Sequence, residues 1–116
     1  MSKRKKPEAP RFVMVYSDLL KDKTWRKLSN SAKVLYIYLR NKFNKETLNI
    51  LTLTYTEMKD VMSTATMSKG LKELTKADFI EVTKMGGLFG GSCRYKLKGE
   101  FRWFYYTVSG RRFKIG

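Results

Sequence analysis

The sequence predicts an α+β domain in which a three-helix core is followed by a β-hairpin. Three observations predict it. Apolar residues recur at helical spacing in two long segments, 30–44 and 65–77. A shorter segment between them opens with Thr54 and Glu57, three residues apart, the spacing of a capping box. After the second long segment the pattern switches to alternation, over 79–84 and again over 93–98, with a glycine-rich stretch between.

The elements follow in order. Residues 1–10 carry Lys3, Arg4, Lys5 and Lys6 together with Pro7 and Pro10, without periodicity, and read as a disordered basic arm. The folded domain is expected over 11–98 and an aromatic, basic extension over 99–116. Residues 11–16 are apolar and β-prone, a short strand or extended segment. Ser17 or Asp18 is a candidate cap for a short helix reaching about residue 23. Trp25 and Leu28 read as anchors onto the core.

Ser29 precedes the first long helix, where Ala32, Leu35, Tyr36, Leu39 and Phe43 form one stripe. Lys33, Arg40 and Lys42 face elsewhere on that wheel, and Tyr36 and Tyr38 read as packing residues. Residues 49–53 predict a short strand. Thr54 or Thr56 caps a helix to about residue 62, and Ser63 and Thr64 break it. The next helix turns Met67, Leu71 and Leu74 inward, with Gly70 allowing another backbone close. The hairpin strands flank a flexible tip at 85–92. The segment 101–106 is densely aromatic, and Arg111, Arg112 and Lys114 make the end basic. That extension admits three readings: completion of the core, a dimer interface, or stacking on single-stranded bases. No internal repeat is visible.

Composition bounds the function. The 116 residues suit one domain, and at 42% hydrophobic they suffice for a core. Lys and Arg number 25 against 10 acids, a net charge of +15 and a pI near 10.1. Such a chain attracts polyanions, and nucleic acid is the first candidate, ahead of an acidic protein or an anionic membrane. No apolar run approaches the roughly 18 residues of a membrane span. The basic start is not followed by the apolar stretch of a secretion signal. Cys93 is the single cysteine. A cytoplasmic, nucleoid-associated location is expected, and a small chain of this kind gains burial by forming a homodimer.

Catalytic chemistry has little to work with. There is no histidine, which removes imidazole bases and ligands, and one cysteine cannot build a zinc site. Asp18 and Asp22 read as a solvated pair. Gly86, Gly87, Gly90 and Gly91 lack the Gly-Lys-Ser/Thr ending of a phosphate loop and do not lead from a strand into a helix. No enzymatic activity, metal, cofactor or small-molecule ligand is expected.

The stretch from Tyr55 through Met62, Ser63, Thr64 and on to Leu74 resembles a winged helix-turn-helix. The following Lys76-Ala77-Asp78-Phe79-Ile80 is similar to the Lys-Ala-Gly-Phe/Leu-Ile passage that leads that family from recognition helix to wing. Among winged helices the chain most resembles the small domains of plasmid and phage replication initiators and of mobile-element regulators. The match covers about 29–98. It departs at Asp78, where the family usually has Gly in a left-handed backbone. The resemblance implies that the second long helix enters the DNA major groove by its N-terminal residues. With Met67, Leu71 and Leu74 inward, Ala65, Ser68, Lys69, Lys72 and Lys76 point outward. Thr66 and Ser68 are candidates for base edges or phosphates, Lys69 and Lys72 for base edges or nearby phosphate, Lys76 for phosphate, and Thr64 for a phosphate at the helix start. Lys84, Arg94 and Lys96 belong to the wing, where a cation can enter a narrow minor groove. Lys3, Arg4, Lys5 and Lys6 are candidates to follow the backbone. Leu88 and Phe89 at the wing tip admit a wedge, a partner contact or a tip folded onto the domain.

The leading expectation is therefore sequence-specific binding of double-stranded DNA, for transcriptional control or replication initiation of a mobile element. The alternatives are a nonspecific nucleic-acid-packaging or RNA-binding protein and a protein-interaction domain that docks an acidic partner. Membrane-surface binding ranks last, because no helix sets a basic face against a fully apolar one.

Overall fold

The computed structural model describes residues 12–44, 47–84 and 93–115. The arm expected at 1–10 and the tip at 85–92 lie outside the described residues. The architecture is α+β, with five helices and two antiparallel sheets among the described residues.

Residues 12–16 form no helix or strand and lead into two short helices, α1 (Ser17–Lys21) and α2 (Lys23–Lys27). A single helix was expected here. Asp22 splits it, since its extended backbone ends α1 while its carboxylate accepts the Trp25 N–H at 3.0 Å and caps α2. Trp25 and Leu28 are buried anchors. Helix α3 (Asn30–Lys42) is capped by Ser29, whose hydroxyl accepts the Ala32 N–H. Its expected stripe is buried along its whole length. Trp25, Tyr36 and Phe79 meet edge to face, with ring centroids 5.2–5.9 Å apart, and join α2, α3 and the segment after α5.

Two residues of α3 depart from the sequence reading. Tyr38, expected to pack, is exposed. Arg40, expected to face solvent, is only 3% exposed. Its guanidinium donates to the carbonyls of Met14 (3.0 Å), Phe101 (3.3 Å), Arg102 (2.7 Å) and Trp103 (2.9 Å). The planar fork spreads its donors wide enough to span four backbone acceptors, which an ammonium cannot do. Burial lowers its pKa, opposed by the neighbouring Tyr36 and Tyr16 hydroxyls.

Strand β1 is short, Leu51–Thr52, because Leu48 and Asn49 both adopt positive φ and cannot extend it. Asn49, read as part of that strand, is buried instead. Its side-chain amide accepts the Leu97 N–H at 2.8 Å and donates to the Leu97 carbonyl at 3.1 Å, replacing a rung of ladder. Helix α4 (Tyr55–Met58) carries the expected capping box between Thr54 and Glu57 and then loosens into a turn short of residue 62. Ser63 caps α5 (Thr64–Lys76).

Gly70 of α5 lies against α3, where an added Cβ would sit 2.5 Å from Leu35 Cδ1. Helix α5 ends in the expected left-handed residue. Asp78 has φ 66°, its N–H reaches the Thr75 carbonyl, and the Phe79 N–H reaches that of Leu74, a Schellman closure with buried Leu74 and Phe79 beneath it. The Asp78 carboxylate also pairs with Lys98 at 2.9 Å.

Strands β2 (Ile80–Lys84) and β3 (Arg94–Leu97) form the expected hairpin, and β3 lies between β2 and β1. The 99–116 extension holds a second hairpin, β4 (Phe104–Val108) and β5 (Arg111–Ile115), which the sequence reading did not anticipate. Its turn residues Ser109 and Gly110 both have positive φ, the twist that two-residue hairpin loops require. Phe101 and Ile115 pack against the core.

Replacing Arg40 by Met keeps much of the volume but removes the donors to four carbonyls. Chemical denaturation is expected to show a loss of roughly 2–4 kcal/mol, only partly recovered by Arg40→Lys. Full stability in Arg40→Lys would show that the fork geometry is not what matters.

Candidate nucleic-acid interface

The buried stripe of α5 (Met67, Gly70, Leu71 and Leu74) sets its rotation, and therefore what it presents to solvent. Ala65, Lys69, Lys72 and Lys76 follow at intervals of four, three and four residues, so they line one face opposite that stripe, and all four are exposed. Thr64 is exposed at the first turn. Ser68 is half-buried on the flank toward the sheet. Thr66 is half-buried on the other flank. Its N–H and hydroxyl both engage the Ser63 hydroxyl, at 3.2 and 2.9 Å. Thr66 is thus part of the cap, and a role in contacting ligand would have to share its hydroxyl.

A groove of about 380 Å³ runs along the Ser68 side of α5. It is lined by Ser68, Lys72, Thr75 and Lys76 of the helix and by Tyr55, Val82, Cys93 and Tyr95 opposite, over the side of Leu71. Tyr55, half exposed at the start of α4, is a groove residue that the sequence reading passed over.

The hairpin cations divide. Tyr95 and Leu97 of β3 are buried, so strand alternation turns Arg94 and Lys96 to the opposite face of the sheet, away from the groove. Lys84 is exposed at the end of β2, where the register shifts and pairs it with Arg94. The structure therefore gathers Lys69, Lys72 and Lys76 on one face and holds Arg94 and Lys96 on another, with Lys84 and Arg94 paired at the last described rung of the hairpin. Lys3, Arg4, Lys5, Lys6, Leu88 and Phe89 lie outside the described residues.

Acidic side chains are kept out of the α5 face by internal duties. Glu73 accepts the Ser29 N–H at 2.6 Å and the Ser29 hydroxyl at 2.8 Å, tying α5 to the start of α3. These two hydrogen bonds, the backbone one first, hold its carboxyl below the usual range. Glu57 pairs with Lys42 at 2.6 Å and closes the capping box. Desolvation works to raise its pKa, and the bonds from Lys42 and Thr54 outweigh that and lower it. Among the described residues no cluster of His, Cys, Asp or Glu is placed to hold a metal ion. No helix among them is long and apolar enough to cross a membrane. The chain matches no protein-family model, and no curated protein or solved structure matches it.

The carboxyls of Glu57 and Glu73 have folded pKa values below their unfolded ones. Between those values the unfolded chain binds more protons, so their contribution is present at neutral pH and is lost as pH falls through the folded values. Thermal melts from pH 7 down through the carboxylate range are expected to show declining stability, with a shallower decline in Glu57→Gln/Glu73→Gln. An identical decline in that variant would assign the acid sensitivity to other groups.

Proposed function

We propose that the chain is a winged helix-turn-helix protein that binds double-stranded DNA with sequence preference, serving transcriptional control or replication initiation of a mobile element. The observation that carries this reading is the exposed face of α5. It begins with small residues, Thr64 and Ala65, continues with Lys69, Lys72 and Lys76, and is locked in rotation by a fully packed opposite stripe. Small residues at the leading end allow close approach to base edges, and cations farther along meet phosphates.

The context supports it. Helix α4 and its following turn precede α5, with a separate side-chain cap at each helix start. The β2–β3 hairpin follows α5 directly, as a wing would, with Lys84 and Arg94 paired at its last described rung as candidates for backbone or minor groove. The helix N-terminus offers the Thr64 and Ala65 N–H groups and the Thr64 hydroxyl to a phosphate. A net charge of +15 supplies the long-range attraction. Binding to a duplex requires no cofactor.

Lys69→Ala/Lys72→Ala should leave melting unchanged, because both side chains are exposed. Duplex affinity at physiological salt is expected to fall roughly tenfold or more. The log–log salt slope should shrink by about 0.9 for each phosphate contact removed. Unchanged affinity and slope would place the interface elsewhere on the molecule.

A further inference from the structure

The β4–β5 hairpin carries a second charged surface, which the α5 reading does not use. The segment from Phe101 to the end holds Arg102, Arg111, Arg112 and Lys114 and no carboxylate. Register places Tyr105 opposite Lys114 and Thr107 opposite Arg112, so these four share one face of the ribbon. The cations are braced on rings. Arg102 and Lys114 lie 4.1 and 4.2 Å from the Trp103 ring centre, and Arg112 lies 5.4 Å from that of Tyr105. Nearer the turn Arg111 lies 5.9 Å from the Phe113 ring.

The base of the ribbon is fixed to the core. The Trp103 carbonyl accepts from both Arg40 and the Tyr16 hydroxyl, and Ile115 packs inward. A hairpin that only completed the core would turn its polar face to solvent without arranging it. This one leaves Arg111, Arg112 and Lys114 exposed on a rigid mount.

We infer that this hairpin is a second phosphate-binding element, which grips the backbone of duplex DNA. The inference rests on the duplex-binding reading for its ligand. Phosphate suits this face better than a stacked base, because Arg102 and Lys114 already lie close to the Trp103 ring. Arg112 and Lys114 stand two residues apart on one strand, about 7 Å, close to the separation of neighbouring phosphates along one DNA strand. The rings hold the long side chains near their binding positions, which reduces the ordering cost of each contact.

The test uses the full chain, a mixed-sequence duplex of about thirty base pairs and an oligothymidine of equal length. Arg112→Gln/Lys114→Gln is the main variant, and Arg112→Glu alone serves if the double variant melts early. The inference expects weaker duplex binding in either, and in the double variant a salt slope smaller by about 2. Unchanged duplex affinity and slope would overturn it, as would oligothymidine binding tighter than the duplex. Lys69→Ala/Lys72→Ala, run alongside, separates the two readings. A slope lowered by the hairpin variant and not by the α5 variant would keep the hairpin and remove α5. The reverse would keep α5 and remove the hairpin, and a chain that binds no duplex would remove both.

Discussion

A guanidinium buried without a carboxylate organises this fold. Arg40 sits near the end of α3 and draws in four backbone carbonyls, one from the N-terminal segment and three from the stretch before β4. Removing a cation from water costs several kcal/mol, so the site is stable only while those dipoles stay converged on it. The converse also holds, since four partly buried carbonyls are served by one donor with the reach of Arg40. Among the described residues no buried side-chain polar atom lacks a hydrogen-bond partner. Tyr16 and Phe43 flank the group with their rings, each centre 5.8 Å from the guanidinium carbon. The Tyr36 hydroxyl donates to the Phe101 carbonyl at 3.5 Å, and burial pushes its pKa up to about 12.

Helix α3 thereby supports two neighbours with two sides. One side accepts α5 at Gly70, close enough that a single methyl would collide with Leu35. The other fixes the root of the C-terminal ribbon through Arg40. Charge follows the same division. Asp22, Glu57, Glu73 and Asp78 each have a structural partner within the chain. The surfaces left to face solvent on α5 and on the ribbon are consequently basic, and the excess of cations is presented on rigid elements.

Local rules made much of this legible in the sequence. Ser29 and the Thr54–Glu57 pair announced helix starts, and the stripes of α3 and α5 announced their buried faces, because capping and periodicity depend on residues three and four apart. Asp78 was readable as a left-handed stop only through the resemblance to winged helices, whose pattern has Gly there. The α5 cations follow from the stripe by geometry. Arg40 was not legible, since its partners lie some 26 to 63 positions away and the helical wheel alone places it at the polar border. Asn49 looked like a strand residue among β-prone neighbours, although Asn is one of the few side chains that tolerate positive φ. The second hairpin left a signal that composition masked. Ser109-Gly110 stands between two β-prone runs, a two-residue turn, but a run so dense in aromatics shows no strict alternation to mark a strand. The opposed directions of Arg94 and Lys96 relative to the groove needed the strand register, which only the folded sheet supplies.

The most direct test of the account is selection of bound duplexes from a random DNA pool by the full chain at physiological salt, followed by sequencing. Base readout by the α5 face predicts an enriched motif, with its symmetry or tandem repetition reporting how copies of the chain are arranged on DNA. Measurable binding without any enrichment would contradict base readout and leave a charge-driven binder of nucleic acid in its place.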